Sequence, residues 1–178
     1  ATINGKALVK DGKPLDRAYS NGQLVYSRNI LLGTSVIFTG VGTNSVNGNF
    51  DTNGGRYNLA GGKKVSDIYN QYGSNGYLTL SFEWVASGPN ISGLFNPVWD
   101  NTPWGFIRPN VTIQPSITNK SGRYEITVPL STNSYSTGVT TGLRFRQDNL
   151  QGNITISNLK LEAGNIATDW TPAPEDYI

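Results

Sequence analysis

Apolar and polar residues alternate strictly along several short stretches of the chain. In the clearest stretch, residues 77–84, the apolar members share one parity: Leu78, Leu80, Phe82 and Trp84. A period of two indicates a β-strand with one buried face and one solvated face, which is typical of antiparallel sheets in a sandwich. We therefore expect Trp84 in the core and Glu83 on the solvated face.

The same alternation recurs in residues 123–130, 143–146 and 154–162. In the last of these the apolar parity changes between Ile156 and Leu159, and one extra residue at such a point indicates a β-bulge. A single short stretch, residues 63–72, is compatible with a helix. These patterns predict an all-β fold, a jelly-roll β-sandwich.

Residues 1–28 differ from the rest of the chain. They contain two turn signals, Asp11-Gly12-Lys13-Pro14 and Ser20-Asn21-Gly22-Gln23, each flanked by short apolar segments. This pattern predicts hairpins, and the segment has too few apolar residues to form its own core. We therefore predict an N-terminal hairpin region at 1–28, a sandwich domain at 29–171 and an extended tail at 172–178.

Composition excludes several kinds of chemistry. The 178-residue chain has no cysteine and no histidine, which excludes thiolate nucleophiles, disulfides and Ser-His-Asp catalysis. Its 14 Lys+Arg and 12 Asp+Glu residues give a net charge of +2, too low and too scattered for an electrostatic nucleic-acid binder. No stretch approaches the roughly 18 apolar residues of a membrane helix, and the N-terminus lacks the apolar run of a signal peptide. We expect neither nucleic acid nor membrane as a partner.

Several segments together resemble a known kind of module. They are NGQLVY at 21–26, NILLGTS at 29–35, GLRFRQDN at 142–149, ITISNLKLEAG at 154–164 and ATDWTPAPED at 167–176. These segments are similar to the ends of the carbohydrate-binding-module-like jelly-roll domains in tail and baseplate proteins of bacteriophages that infect Gram-positive bacteria, and 21–26 resembles the small hairpin that precedes them. The similarity covers about residues 29–176, with its specific motifs at the two ends.

The resemblance implies a function and a setting. It implies a non-catalytic module that recognises a host cell-surface saccharide, located in the virion at the tail tip or baseplate beside other tail proteins. It also implies a structural calcium ion in many such modules, whereas no cofactor is expected to be required. We expect the isolated domain to be monomeric and its repetition around a symmetric baseplate to provide avidity. It places Trp170 in a structural clasp against the first strand.

The densest aromatic cluster lies in residues 95–106. Two prolines and an Asp-Asn-Thr-Pro turn predict a rigid loop here, and aromatic rings on a rigid loop can stack on the C–H faces of sugars. Trp99 and Trp104 are therefore candidate ligand-binding residues, with Asp100 and Asn101 as hydrogen-bonding partners for sugar hydroxyls. In the alternative interpretation, one of the tryptophans folds back and plugs one end of the sandwich.

A second candidate site involves charged residues on the solvated faces of two strands. If the sheet that carries Glu83 is concave, Glu83 would lie beside Arg144 and Arg146, and this set could bind sugar hydroxyls or a phosphate group. The alternative is an ordinary cross-strand ion pair on a solvated face.

Two other functions remain open from the sequence. One is a structural module that joins or decorates tail proteins, with the aromatic loop as a protein contact. The other is a saccharide-cleaving enzyme, which would need a carboxylate pair such as Glu83 with Asp148 or Glu83 with Glu125. Residues 49–54 resemble the start of an EF-hand loop, but the twelfth position of that loop is Ala60, where a bidentate Glu is required, so the segment is not an EF-hand. A different calcium site, with oxygen ligands from Asp51 or Glu162, remains open.

Overall fold

The computed structural model describes residues 9–50 and 55–177. One α-helix in these ranges, α1, spans Val65–Tyr72, and short 3-10 helices span Ala60–Gly62, Tyr135–Thr137 and Pro174–Tyr177. The strands are β1 (Val9–Lys10), β2 (Lys13–Pro14), β3 (Arg17–Ser20), β4 (Gln23–Ser27), β5 (Phe38–Val41), β6 (Gly48–Asn49), β7 (Tyr57–Asn58), β8 (Tyr77–Trp99), β9 (Ser121–Pro129) and β10 (Gly142–Ala163).

Two long strands, β8 and β10, pair antiparallel and form one continuous ribbon that bends across the core. The ring of Phe82, before the bend in β8, lies 5.2 Å from the ring of Phe145 in the half of β10 that pairs beyond the bend. Trp84 and Phe95 make a second contact of this kind at 5.6 Å. The two halves of the ribbon therefore face each other as the two layers of a sandwich.

The bend explains the order of the strands in the layers. The first layer consists of β9, residues 77–87 of β8, residues 153–163 of β10 and then β5. The second layer consists of residues 91–99 of β8 and 142–151 of β10, with β6 and β7 beside β10. All of these pairings are antiparallel, and the prediction of an all-β, jelly-roll sandwich is confirmed.

Glycines make the bend possible. Gly93 has a φ of 91°, and a Cβ atom there would overlap the carbonyl group of Asn149. Gly152 has a φ of 92°, and its Cβ would lie 2.9 Å from the carbonyl oxygen of Ser87. Only glycine combines this backbone conformation with so close an approach of two strands.

Local signals in the sequence are realised at the predicted places. Residues 11–12 and 21–22 form the turns of the β1–β2 and β3–β4 hairpins with positive φ angles. The register between β8 and β10 shifts by one residue between Ser157 and Lys160, where Asn158 has a φ of 52°. The predicted β-bulge and the predicted helix within 63–72 are both confirmed, and Trp84 is buried as expected.

The outer face of the first layer is partly covered and not solvated as its alternation predicts. Thr79 and Ser81 are buried there, as are Lys160 and Glu162 of the neighbouring strand β10. Lys160 Nζ donates to Thr168 Oγ1 at 2.8 Å, and Thr168 Oγ1 donates to Glu162 Oε1 at 2.7 Å. Because the C-terminal segment lies over this face, two charged groups bridged by a hydroxyl are buried outside the apolar core.

Asn29 ties three distant parts of the chain together. Its side-chain amide donates to Thr34 Oγ1 and to the carbonyl oxygens of Leu159 and Thr171, and its Oδ1 accepts from the backbone of Leu31 and Leu161. The motif at 29–35 therefore has a structural role, because it joins the first segment of the sandwich to β10 and to the C-terminus.

The C-terminal segment closes on the sandwich. Trp170 donates its indole N–H to the carbonyl oxygen of Leu159 at 3.1 Å and lies 3.4 Å from Thr34 Oγ1, which confirms its predicted structural role. The prediction of an extended tail at 172–178 needs correction, since residues 172–174 are buried and Pro174–Tyr177 form a 3-10 helix. The salt bridge from Arg28 to Glu175 fixes this turn.

Lys160 gives the stability of the fold a dependence on alkaline pH. Burial lowers the pKa of Lys160 from 10.5 to about 8. Between these pH values the native chain binds fewer protons at this group than the unfolded chain, so the free energy of unfolding rises with pH. We expect a rise on the order of 2 kcal/mol between about pH 7 and 9.5 in urea unfolding.

The variant Lys160→Met serves as the control for this pH dependence and should lack the rise. Burial also raises the pKa values of Tyr57 and Tyr124 to about 12, and these shifts lower stability only above about pH 10. A stability of the unsubstituted chain that falls between about pH 7 and 9.5 would contradict the assignment.

Candidate functional site

A tight turn after β8 holds Trp104 outward. The backbone N–H of Trp104 donates to Asn101 O at 2.7 Å, and the N–H of Trp99 donates to Trp104 O at 2.6 Å. Trp104 has a φ of 65°, an unusual conformation for a bulky residue that the surrounding turn imposes. The side chain is 52% exposed, the only tryptophan among the described residues with a large exposed ring.

Trp99 lies in the core, and the prediction that it sits on the aromatic loop is wrong. Strand β8 continues to Trp99, whose side chain is fully buried against Phe106 and Tyr135. Its indole N–H donates to the Tyr135 hydroxyl at 3.2 Å, and that hydroxyl donates to Phe106 O at 2.6 Å. Trp99 is therefore the plug of the alternative interpretation, and Trp104 is the ring that remains for a ligand.

The Trp104 ring borders a groove on the outer face of the second layer. This Trp104 groove has a volume of about 320 Å³, and the side chains that line it are mainly amides and guanidinium groups. Its lining residues are Asn47, Asn49, Val98, Trp99, Trp104, Gly105, Arg108, Asn110, Arg144 and Arg146, of which Trp99 is fully buried. The fold thus brings together Trp104 and the arginine pair of β10, which the sequence placed in two separate candidate sites.

Hydrogen bonds fix two of the groove's arginines. Arg146 donates from Nε and Nη2 to the two carboxylate oxygens of Asp148 at 2.8 and 3.0 Å. The hydrogen bond from Arg146 lowers the pKa of Asp148, and the same bond raises the pKa of Arg146. Arg108 donates from Nε to Asn133 Oδ1 at 2.7 Å. Both guanidinium groups are therefore held in position.

Asp100 and Asn101 do not line the groove. The Asp100 carboxylate binds Arg56 and the hydroxyl of Thr140. The backbone N–H of Asp100 donates to Gly142 O. Asn101 Oδ1 accepts from the backbone N–H of Thr102 at 2.7 Å. Both residues build the turn that presents Trp104, so the structure gives them a positioning role in place of the predicted contact with ligand.

Glu83 lies on the opposite face of the sandwich from Arg144 and Arg146, and the prediction that they are neighbours is wrong. Glu83 follows Phe82 in β8, and both arginines flank Phe145 in β10, so alternation turns each of them away from the core contact between the two rings. Glu83 instead accepts from Asn158 Nδ2 at 2.6 Å. The bend of the ribbon, which period-2 alternation does not reveal, is the cause.

The same bend removes one carboxylate pair that the enzyme hypothesis requires. Asp148 lies in the second layer with Arg146, away from Glu83, so these two groups cannot flank one glycosidic bond. Glu125 pairs in register with Ser81 and binds Arg123, whose own register partner is Glu83. Glu83 and Glu125 thus flank an arginine on an exposed surface.

Four polar residues of the groove were not predicted from the sequence: Asn47, Asn49, Arg108 and Asn110. Arg108 and Asn110 lie shortly after Trp104 in the sequence, and the cluster Arg-Pro-Asn after an aromatic loop is a signal that could have identified them. Asn47 and Asn49 come from the segment around β6, which pairs with β10 at Arg146. That pairing has no local sequence signal, so these two amides could not be assigned to the site.

Of the two residues proposed as calcium ligands, Asp51 and Glu162, the structure describes Glu162. Asp51 lies outside the described residues. Glu162 accepts from both the N–H and the hydroxyl of Thr168, and the Lys160 ammonium group lies beside it, so its surroundings do not fit a calcium ligand. Within residues 9–50 and 55–177, no three acidic side chains form a metal-binding cluster. No helix in this part of the chain is long and apolar enough to span a membrane.

Comparisons with known proteins give matches to solved structures alone, since no family model and no curated protein matches the chain. The chain is similar to one from the tripod of the baseplate of bacteriophage Tuc2009, at 16% identity and a TM-score of 0.45, covering 85% of this chain and 61% of that chain. It is similar to a CBM4 structure at 14% identity and a TM-score of 0.36, covering 71% and 94%.

A third similar structure is an empty particle of Kashmir bee virus, at 11% identity and a TM-score of 0.36, covering 83% of this chain and 97% of that chain. The chain spans about three fifths of the length of the baseplate chain that it matches.

Proposed function

We propose that the chain is a non-catalytic saccharide-binding module of a phage tail or baseplate, and that the Trp104 groove holds the sugar of the host surface. The observation that carries the proposal is the exposed Trp104 ring, fixed by its turn beside guanidinium and amide groups in a concave surface. A pyranose can stack on the ring while its hydroxyls bond to Asn49, Asn110 and Arg146. The phage setting rests on the sequence resemblance.

The groove fits a weak, repeated contact. One exposed aromatic ring serves as its apolar anchor, so a single site buries little apolar surface. Repetition of the module in a symmetric assembly would raise the avidity by placing several sites on one polymer. This arrangement suits adsorption to a cell surface, where many identical sugar units are present.

Removal of the Trp104 ring should abolish most of the binding. We expect the fluorescently labelled, multimerised domain to label some Gram-positive strains and purified wall polysaccharide to compete for it. Trp104→Ala should weaken the interaction at least about tenfold, because it removes the stacking surface and leaves the fold intact. Tyr177→Ala, which removes another exposed aromatic ring, is the matched control and should bind as the unsubstituted domain does.

Two results would count against this function. No labelling of any strain would remove the adhesion role, and equal binding by Trp104→Ala would place the sugar elsewhere. The alternative is a structural module of the tail, which one feature favours: exposed valine and isoleucine side chains are concentrated between residues 36 and 46. In that case substitutions there, and not at Trp104, would disturb assembly with tail proteins.

A further inference from the structure

Positive charge is concentrated in the Trp104 groove. Three of the seven arginines of the chain line it: Arg108, Arg144 and Arg146. The described residues that line it include no aspartate, glutamate or lysine, and the Asp148 carboxylate beside the groove pairs with Arg146. Arginine is the side chain whose planar fork matches the two oxygens of a carboxylate or phosphate group.

Two of the guanidinium groups retain donors for a ligand. Asp148 occupies Nε and Nη2 of Arg146, and Asn133 occupies Nε of Arg108. Within the described part of the chain, Nη1 of Arg146 and both Nη groups of Arg108 have no hydrogen-bonding partner. Because their neighbours already fix the two side chains, these donors can bind an anion with little further loss of side-chain entropy.

We propose that the ligand of the Trp104 groove is an anionic glycan, whose sugar units carry carboxylate or phosphate groups. The inference rests on the proposed function and specifies the class of saccharide. A sugar ring stacks on Trp104, and the anionic group of the same or the next unit accepts from Arg108 and Arg146. Among residues 9–50 and 55–177, the opposite face of the sandwich, with Glu83 and Glu125 beside Arg123, has neither an exposed tryptophan nor an excess of arginine.

The test compares three polymers with one backbone. Dextran, carboxymethyl dextran and phosphorylated dextran of equal length are immobilised, and binding of the full chain is measured by biolayer interferometry at about 50 and about 300 mM sodium chloride. We expect at least about fivefold tighter binding to one of the charged dextrans than to dextran, and weaker binding at the higher salt concentration. The two charged polymers distinguish carboxylate from phosphate as the group recognised.

Arg108→Gln and Arg123→Gln form a matched pair of variants. Each removes one guanidinium group from an exposed position, one in the groove and one on the opposite face. We expect Arg108→Gln to lose most of the preference for the charged polymer, Arg108→Lys to lose part of it, and Arg123→Gln to retain it. Circular dichroism spectra of the variants check that the fold is retained.

Equal binding to all three dextrans, binding to none of them, or equal losses in Arg108→Gln and Arg123→Gln would overturn the inference. These outcomes are distinct from failure of the proposed function. If labelling of cells still depends on Trp104 while the charged dextrans show no preference, the module binds a neutral saccharide. If no strain is labelled, the saccharide-binding function itself fails.

Discussion

The free energy of unfolding of Trp99→Ala should be lower than that of the unsubstituted chain by about 3–5 kcal/mol. Trp99 is fully buried at the end of β8, where its ring contacts Phe106 and Tyr135. The substitution would leave a cavity of nearly the whole indole ring and remove the N–H that donates to the buried Tyr135 hydroxyl. Chemical unfolding followed by circular dichroism measures the change.

The matched control is Trp104→Ala, only five residues away along the chain. Because its side chain is about half exposed, we expect a loss of stability below about 1 kcal/mol. The two variants therefore separate stability from binding: Trp99→Ala should unfold more easily, and Trp104→Ala should lose ligand. Similar losses of stability in both variants would show that the turn at 100–104 does not hold Trp104 outward.

Lys160→Met should lower the free energy of unfolding at pH 7 by about 1–3 kcal/mol, because it leaves buried acceptors without their donor. Lys160 and Glu162 are both fully buried, and the hydroxyl of Thr168 bridges them. Burial raises the pKa of Glu162, and the Lys160 ammonium group opposes that rise. Without Lys160 the Thr168 hydroxyl and the Asp169 carbonyl oxygen lose their donor, and the ring of Tyr26 loses its cation contact, whereas the desolvation cost of the ammonium group disappears.

A second substitution tests whether the two charges act as a pair. In Lys160→Met/Glu162→Gln no buried charge remains, and glutamine still accepts from Thr168. We expect the double variant to be more stable than Lys160→Met alone, whereas independent groups would give additive losses. The variant Lys120→Met, which removes an exposed lysine, is the control and should change stability by less than about 0.5 kcal/mol.

Features that depend on neighbouring residues could be predicted from the sequence. The two hairpin turns, the helix near residues 65–72, the bulge at Asn158 and the burial of Trp84 all follow from local periodicity or turn chemistry. Each of these signals lies within about ten residues, and the backbone conformation that it favours is the one that the sandwich uses.

Features that depend on how distant segments meet could not be predicted. Alternation assigned Glu83 and Arg144 to solvated faces, but the bend at Gly93 and Gly152 determines that these faces are opposite. Pro97 favoured a loop in the aromatic cluster. Strand β8 nevertheless tolerates this proline, because the edge of β8 that faces away from β10 forms isolated bridges there and no continuous strand pairing among the described residues. The burial of Lys160 follows from the C-terminal segment that covers it, which no periodicity shows.

The indole signals of the four tryptophans offer the most direct test of the Trp104 groove. A ¹H–¹⁵N spectrum of the labelled chain is recorded during titration with fragments of a wall polysaccharide from a strain that the domain labels. We expect the indole signal of Trp104 to shift progressively, together with the side-chain Nε–H signals of Arg108 and Arg146, while the signal of Trp99 stays unchanged in the core. A bound state in which the Trp104 signal does not move would contradict the account.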